Sequence, residues 1–316
     1  MQLGGVGARR GFALAAVALA TAAVTAFAVA TQPAAGTSRS LQRVTLFGDS
    51  VADSIVEDTR AKQIVANGVD LDLEVAPCRR VGQDSCPYNG VRPPNVIDLA
   101  RRMGSSMGPT VVVAVGYNDF AQSYAQNIED ALAVFKQAGV KRVLWLTLRA
   151  AQHSYLDMND DIVAAAAHHP EMVVVDWNLY SRSHPDWFQS DGIHLVGTGA
   201  EAMATLVHKT LVLLGVAALP KGAPRPPTGP PVRVATKALP VAVVGRRYAA
   251  KLSAKGGRRP YYWSFPRKPP KGLHLRPTGW IFGTPKGRAG RFTLPVRVRD
   301  VLGKSAQARL VLRVRA

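Results

Sequence analysis

Between residues 44 and 214, short apolar runs alternate with stretches of helical periodicity, and no other feature of this chain restricts its fold so strongly. The runs are Val44-Thr45-Leu46-Phe47 and residues 69–76, 110–115, 142–148 and 172–175; helical spacing is read over about residues 51–66, 94–103, 123–138, 158–168 and 198–214. Runs this short, bounded by turn residues, predict strands. Strands that alternate with helices pair in parallel, and right-handed crossovers place the helices outside the sheet. The pattern therefore predicts a three-layer α/β domain with a parallel five-stranded sheet over residues 41–215.

Beyond residue 215 the pattern changes. Pro220, Pro224, Pro226, Pro227, Pro230 and Pro231 exclude a helix or a central strand and predict a semi-rigid linker over residues 216–235. From residue 236 to 316, β-prone pieces (248–252, 261–265, 279–282, 292–298, 309–314) are separated by Gly/Pro/Lys turns, which predicts a small all-β sandwich. Charge divides at the same place. Residues 1–220 hold 17 Lys+Arg and 20 Asp+Glu, whereas residues 221–316 hold 23 Lys+Arg and one acid, Asp300, so the net charge of +19 belongs to the C-terminal third. A field of that sign attracts polyanions: anionic wall polymers, anionic lipid surfaces or nucleic acid.

Arg9 and Arg10 precede an uncharged run from Gly11 to Ala30 that ends in Ala28-Val29-Ala30, the small-residue pattern of a signal-peptidase site. The run is mostly Ala, so the expectation is a cleaved export signal over residues 1–30 and a polar spacer over 31–40, with retention as a membrane anchor as the alternative. Arg9-Arg10-Gly11-Phe12 resembles part of a twin-arginine signal. Export places the chain in an oxidising compartment, and its two cysteines, Cys78 and Cys86, are close in sequence, so a disulfide is expected. A ring so short contributes about 2.5 kcal/mol, enough to pin a loop. With 47% hydrophobic and 19% charged residues, the chain is neither wholly disordered nor a polytopic membrane protein.

Ligands of open α/β sheets bind beyond the carboxyl ends of the strands. Three segments fall there: Ser50 after the first strand, Gly116-Tyr117-Asn118-Asp119 after the third, and Asp191-Gly192-Ile193-His194 after the fifth. A serine hydroxyl needs a base to take its proton, and a neutral imidazole needs an anion on its other nitrogen to fix its tautomer. Asp191 and His194, three residues apart, supply orienter and base. The Asn118 amide and the Ser50 backbone N–H are candidate donors to a developing oxyanion.

These segments resemble the first, third and fifth blocks of the SGNH/GDSL hydrolase superfamily: Phe47-Gly48-Asp49-Ser50-Val51, Gly116-Tyr117-Asn118-Asp119 and Asp191-Gly192-Ile193-His194. The resemblance covers about residues 41–215 and implies a flavodoxin-like sheet, with Ser50 as nucleophile, His194 as base, Asp191 as its orienter and Asn118 as oxyanion donor. The family's second block, which supplies a glycine oxyanion donor, reads here Ala76-Pro77-Cys78-Arg79-Arg80-Val81-Gly82. Either Gly82 fills that part, or the backbone N–H of Cys78 or Arg79 does. The domain looks closest to SGNH modules acting on sugar O-acyl groups at the bacterial surface. Residues 239–314 resemble the Ig-like repeats appended to exported bacterial proteins, through Leu239-Pro240, Pro260-Tyr261-Tyr262-Trp263-Ser264, Gly279-Trp280-Ile281-Phe282-Gly283-Thr284-Pro285 and Arg299-Asp300.

Each segment also has a plainer reading. Ser50 alone reads as a helix cap, with Asp53 three residues on, and Asn118 and Asp119 read as turn residues. His184, Asp186, Asp191 and His194 match no strong metal signature, and no metal or cofactor is expected. Tyr261-Tyr262-Trp263 beside many cations resembles a base-stacking platform, yet aromatics in a sandwich belong to its core, and export removes most nucleic-acid partners. Arg79, Arg80 and Arg149 are expected near the pocket, holding an acidic substrate or pairing with carboxylates. The combined expectation is an exported or cell-surface serine esterase acting on carboxylic esters, such as O-acetyl groups of a surface glycan. The alternatives are a lipid esterase, an O-acyltransferase with the same triad, or a non-catalytic surface-binding protein. The basic module is expected to hold an anionic wall polymer or membrane surface.

Overall fold

The structure is a computed structural model, and it describes residues 40–219, 222–224 and 229–316. The segment read as export signal and nearly all of its spacer lie outside the described residues. The first module contains, in order, β1 (Arg43–Gly48), α1 (Ser50–Glu57), α2 (Thr59–Ala66), β2 (Asp70–Val75), α3 (Val96–Met103), β3 (Thr110–Ala114), α4 (Ala121–Gln137), β4 (Arg142–Leu146), α5 (His153–His168), β5 (Met172–Val175), α6 (Trp177–Ser181) and α7 (Gly197–Leu213). The five strands are parallel, in the order β2-β1-β3-β4-β5.

Successive strand residues point to opposite faces, and both faces are apolar here. Phe47, Val111 and Val113 join Ile97, Ile128 and Met158 on the face covered by α3, α4 and α5. Val44, Leu46 and Val112 join Ile55, Val65 and Met203 on the face covered by α1, α2 and α7. The sheet is thus buried on both sides, and the loops at its carboxyl ends are left to build a site.

The stretch expected as one helix over 51–66 is two. Asp58 closes α1, its N–H reaching Ser54 O, and opens α2 by accepting from the Ala61 N–H at 2.9 Å. A short acidic side chain that caps the next turn competes with helix continuation. α6, five residues long, escaped the periodicity argument because it completes little more than one turn.

The second module comprises β6 (Arg233–Val234), β7 (Ala242–Val243), β8 (Tyr248–Lys251), β9 (Ala254–Lys255), β10 (Tyr261–Ser264), β11 (Leu273–Leu275), β12 (Trp280–Gly283), β13 (Gly290–Asp300) and β14 (Ser305–Arg315). A four-stranded sheet, β10-β13-β14-β7, and a three-stranded sheet, β11-β12-β8, enclose Trp263, Ile281, Leu294, Val296, Leu310 and Leu312, while β6 pairs with β9. This is the expected sandwich, with two- and three-residue strands too short to show in the sequence pattern.

The modules are not merely strung together. Tyr262 packs with the α/β core and Val301 with its opposite face. The Val174 N–H on edge strand β5 donates to the Tyr262 hydroxyl at 2.8 Å, and Arg276 pairs with Asp160 on α5 at 2.6 Å. Arg299 donates to the carbonyls of Pro170 and His169 at 3.4 and 3.5 Å. An edge strand that would otherwise present an unpaired N–H is covered. Of the aromatic triplet, Trp263 fills the sandwich core, but Tyr262 faces the other way and completes the neighbouring one. No helix of the described residues is long and apolar enough to cross a membrane.

Candidate active site

β1 ends at Gly48, where a Cβ would lie 2.6 Å from that of Ala52, so only glycine lets α1 start this close to the strand. The helix begins at Ser50, and its cap is Asp49, not Ser50: the Asp49 Oδ1 accepts from the Val51 N–H at 3.0 Å. Ser50 is thereby left with its hydroxyl unengaged in capping. The second Asp49 oxygen accepts from the N–H groups of Gly116 and Tyr117, at 3.1 and 3.2 Å, and so fastens the loop after β3 to the start of α1. Burial pushes the Asp49 carboxyl up to about 6, against three backbone N–H bonds and the nearby His194 that favour its charged form.

His194 arrives from the segment before α7. Its Nε2 lies 3.0 Å from Ser50 Oγ and its Nδ1 2.6 Å from Asp191 Oδ2, so the three side chains form a continuous relay. The other Asp191 oxygen accepts from the N–H groups of Ile193 and His194, at 2.8 and 3.0 Å, and Gly192 between them adopts φ +69°, which lets the loop fold back on its own carboxylate. Slight burial disfavours the Asp191 anion, but the His194 ring and the two N–H bonds outweigh it and hold the carboxyl below its ordinary value. Asp191 and His194 remain 45% and 40% exposed, so the relay opens to solvent.

Asn118 sits on the loop fastened by Asp49. Its Nδ2 is buried without a partner among the described residues, while its backbone carbonyl accepts from Arg80 Nε at 2.6 Å. A buried amide donor with no acceptor costs free energy unless a ligand supplies one. Cys78 and Cys86 are bonded, and Cys86 Sγ lies 4.0 Å from the Asn118 Oδ1, which brings the second-block loop against this amide. Along that loop the Arg79 N–H donates to Ala76 O, the Arg80 N–H to Ser85 Oγ and the Val81 N–H to Asp119. Gly82 is wedged against Ile97 and Asn127, where a Cβ would lie 2.9 and 2.7 Å from their side chains. Cys78 stands apart, at φ +65°, in a backbone region that glycine enters most freely.

Asp119 is almost fully buried and receives the Val81 N–H on both oxygens, at 3.0 and 3.2 Å; burial pushes its carboxyl up to about 7. Sequence reasoning gave Asp49 and Asp119 no part beyond motif and turn, yet they tie the three loops together. Their signal was present only as carboxylates adjoining Ser50 and Asn118.

The arginines expected at the pocket are engaged with carbonyls, not carboxylates. Arg79 donates to Glu74 O, Arg80 to Asn118 O and Asp84 O, and Arg149 to Ser181 O while its guanidinium lies 3.8 Å over the Phe188 ring. His184 stacks on Trp187 at 3.9 Å. Among the described residues no group of three or more His, Cys, Asp or Glu is arranged to hold a metal ion.

A family model described as "Putative Ig domain" matches residues 230–315. A Bacillus subtilis protein described as "Putative peptidoglycan O-acetyltransferase YrhL" is 26% identical over 156 residues, 48% of this chain and 24% of that protein. A Staphylococcus aureus O-acetyltransferase, OatA, is 30% identical over 105 residues, 33% of this chain and 16% of its own length. The matches thus span a quarter or less of these longer relatives. The C-terminal catalytic domain of the Streptococcus pneumoniae peptidoglycan O-acetyltransferase A, solved with a methylsulfonyl adduct, aligns with 54% of this chain and 93% of its own at 18% identity and a TM-score of 0.41. The chain thus carries a parallel α/β domain followed by a β-sandwich that matches a family model for an Ig domain, and part of it is similar in sequence to bacterial O-acetyltransferases.

Proposed function

We propose that this protein is a serine esterase that removes short acyl groups, O-acetyl above all, from a cell-surface glycan. The observation that carries this reading is the relay Ser50 Oγ to His194 Nε2 at 3.0 Å and His194 Nδ1 to Asp191 Oδ2 at 2.6 Å. In the proposed reaction Ser50 Oγ attacks the ester carbonyl while His194 takes its proton, and Asp191 stabilises the imidazolium. The carbonyl oxygen becomes an anion that accepts from the Ser50 N–H at the start of α1, from Asn118 Nδ2 and from the Cys78 N–H. Of the second-block candidates, Cys78 is favoured because the Arg79 N–H is engaged and Gly82 is packed between α3 and α4. Collapse returns the proton through His194 to the leaving sugar hydroxyl. Water, activated by the same imidazole, then cleaves the acyl-serine.

The relay is open to solvent, as a polymeric substrate requires. The names of the sequence relatives favour a second reading, transfer of the acyl group to a sugar hydroxyl instead of water. Export and cell-surface residence follow from the N-terminal sequence and belong to the same proposal. The test is turnover of nitrophenyl esters of graded chain length, with and without a chitooligosaccharide acceptor. A preference for acetate with free acetate as product supports the esterase; acetylated acceptor supports the transferase; a preference for long chains contradicts both.

A further inference from the structure

The four-stranded sheet of the Ig-like module turns one face inward and leaves the other to carry arginine. On β13 the residues Leu294, Val296 and Val298 are buried while Arg291 and Arg297 are exposed and Arg299 is half-buried; on β14 Leu310, Leu312 and Val314 are buried while Arg309, Arg313 and Arg315 are exposed. Alternation therefore gathers six guanidinium groups on the outward side of two paired strands. None of the six makes an ion pair with a carboxylate among the described residues. Asp300, the one acid in residues 221–316, is buried, where it receives the N–H groups of Leu302 and Lys304. Arg291 stands directly opposite Arg313 in the antiparallel register. Like charges directly across a sheet destabilise it, and packing gives no reason to place them there.

At the end of this face, where β13 meets the first module, lies a cleft of about 260 Å³ bounded by Arg297, Arg299, His168, Ser264 and Ser305. Its polar walls are two guanidinium groups, two serine hydroxyls and the His168 ring, which suits a single anionic group of a longer chain. The cleft adjoins Pro170, at the amino end of β5, whereas Ser50 follows the carboxyl end of β1. In a parallel sheet those are opposite ends, so a phosphate seated in the cleft lies at the end of the sheet away from Ser50.

We propose that this arginine face docks a linear polyol-phosphate polymer, with one phosphate seated in the cleft. A phosphodiester chain without bases matches a face of guanidinium groups whose aromatic neighbour Tyr262 is buried and hydrogen-bonded to β5. Nucleic acid would call for exposed stacking platforms, and a membrane for many apolar side chains that enter it; the described face exposes only Val311 and Val243 among its large apolar residues.

The test uses the full protein and poly(glycerol phosphate) as probe, at about 0.15 M salt and above. The variant Arg291→Gln/Arg297→Gln/Arg309→Gln/Arg313→Gln is compared with an equal charge change in loops off the face, Arg267→Gln/Lys268→Gln/Lys271→Gln/Lys286→Gln. The expected result is a loss of affinity of roughly tenfold or more for the first, with a shallower salt dependence, and a loss below roughly threefold for the second. The pair Arg291→Gln/Arg313→Gln provides a milder variant, and melting temperature and nitrophenyl acetate turnover, both expected unchanged or higher, check that each variant is folded. Equal losses in the two sets, or no binding by the parent, would overturn the proposal. So would tighter binding to single-stranded DNA or to phosphatidylglycerol vesicles than to the polymer. Ester turnover is read separately, so loss of the docking idea leaves the esterase reading standing, and the reverse.

Discussion

Asn118 is the residue that most directly tests the proposed chemistry, because its buried Nδ2 has no partner among the described residues. Asn118→Ala is expected to lower kcat for nitrophenyl acetate by about 10²- to 10³-fold, the usual cost of one oxyanion donor, with little change in melting temperature. An unchanged kcat would move the donor elsewhere. Asp119 makes a different prediction. Its folded carboxyl is pushed from 3.8 up to about 7, so the folded protein holds a proton that the unfolded chain releases. Its contribution to stability is full below about 4 and is lost as the pH rises through about 7. Asp119→Asn keeps an acceptor for the Val81 N–H and should flatten the fall in denaturation midpoint between those pH values; an unaltered profile would show that another group carries it. Ser50, Asn118, Asp191 and His194 were legible because spacing after strands is a local signal. Asp49 and Asp119 were not, because their partners, Gly116, Tyr117 and Val81, are distant in sequence and only the folded loops bring them together.

At the scale of elements, the five-strand alternation was readable in order and nearly in extent because both faces of the sheet are buried and the runs are almost wholly apolar. What escaped was set by competition at single side chains, as where Asp58 divides α1 from α2, or by pairs too short for a period to appear, as in β6, β7 and β9. The covering of β5 escaped too, since nothing local marks Tyr262 as belonging to the neighbouring core. Tyr262→Phe removes the acceptor for the Val174 N–H while keeping the ring, and should destabilise the protein by about 1–3 kcal/mol in denaturant unfolding, the cost of a buried donor left unpaired. A change near zero would mean that this edge is held by packing alone.

For the whole molecule, composition foretold two modules of opposite character but not their union. The uneven charge, net +22 beyond residue 220, and the proline-rich stretch predict a basic module joined by a semi-rigid linker. Shared cores at Tyr262 and Val301, and the Arg276–Asp160 pair, make the basic module a fixed part of the protein. The proposed nucleophile is open to a direct chemical question. The full protein would be treated with a sulfonyl fluoride, the adduct mapped by mass spectrometry, and nitrophenyl acetate turnover followed in parallel with that of Ser50→Ala. One adduct on Ser50, turnover lost in step with its formation, and an inert Ser50→Ala protein are the predicted results. Turnover that survives in Ser50→Ala, or an inactivating adduct on another residue, would contradict the assignment of Ser50 as the nucleophile.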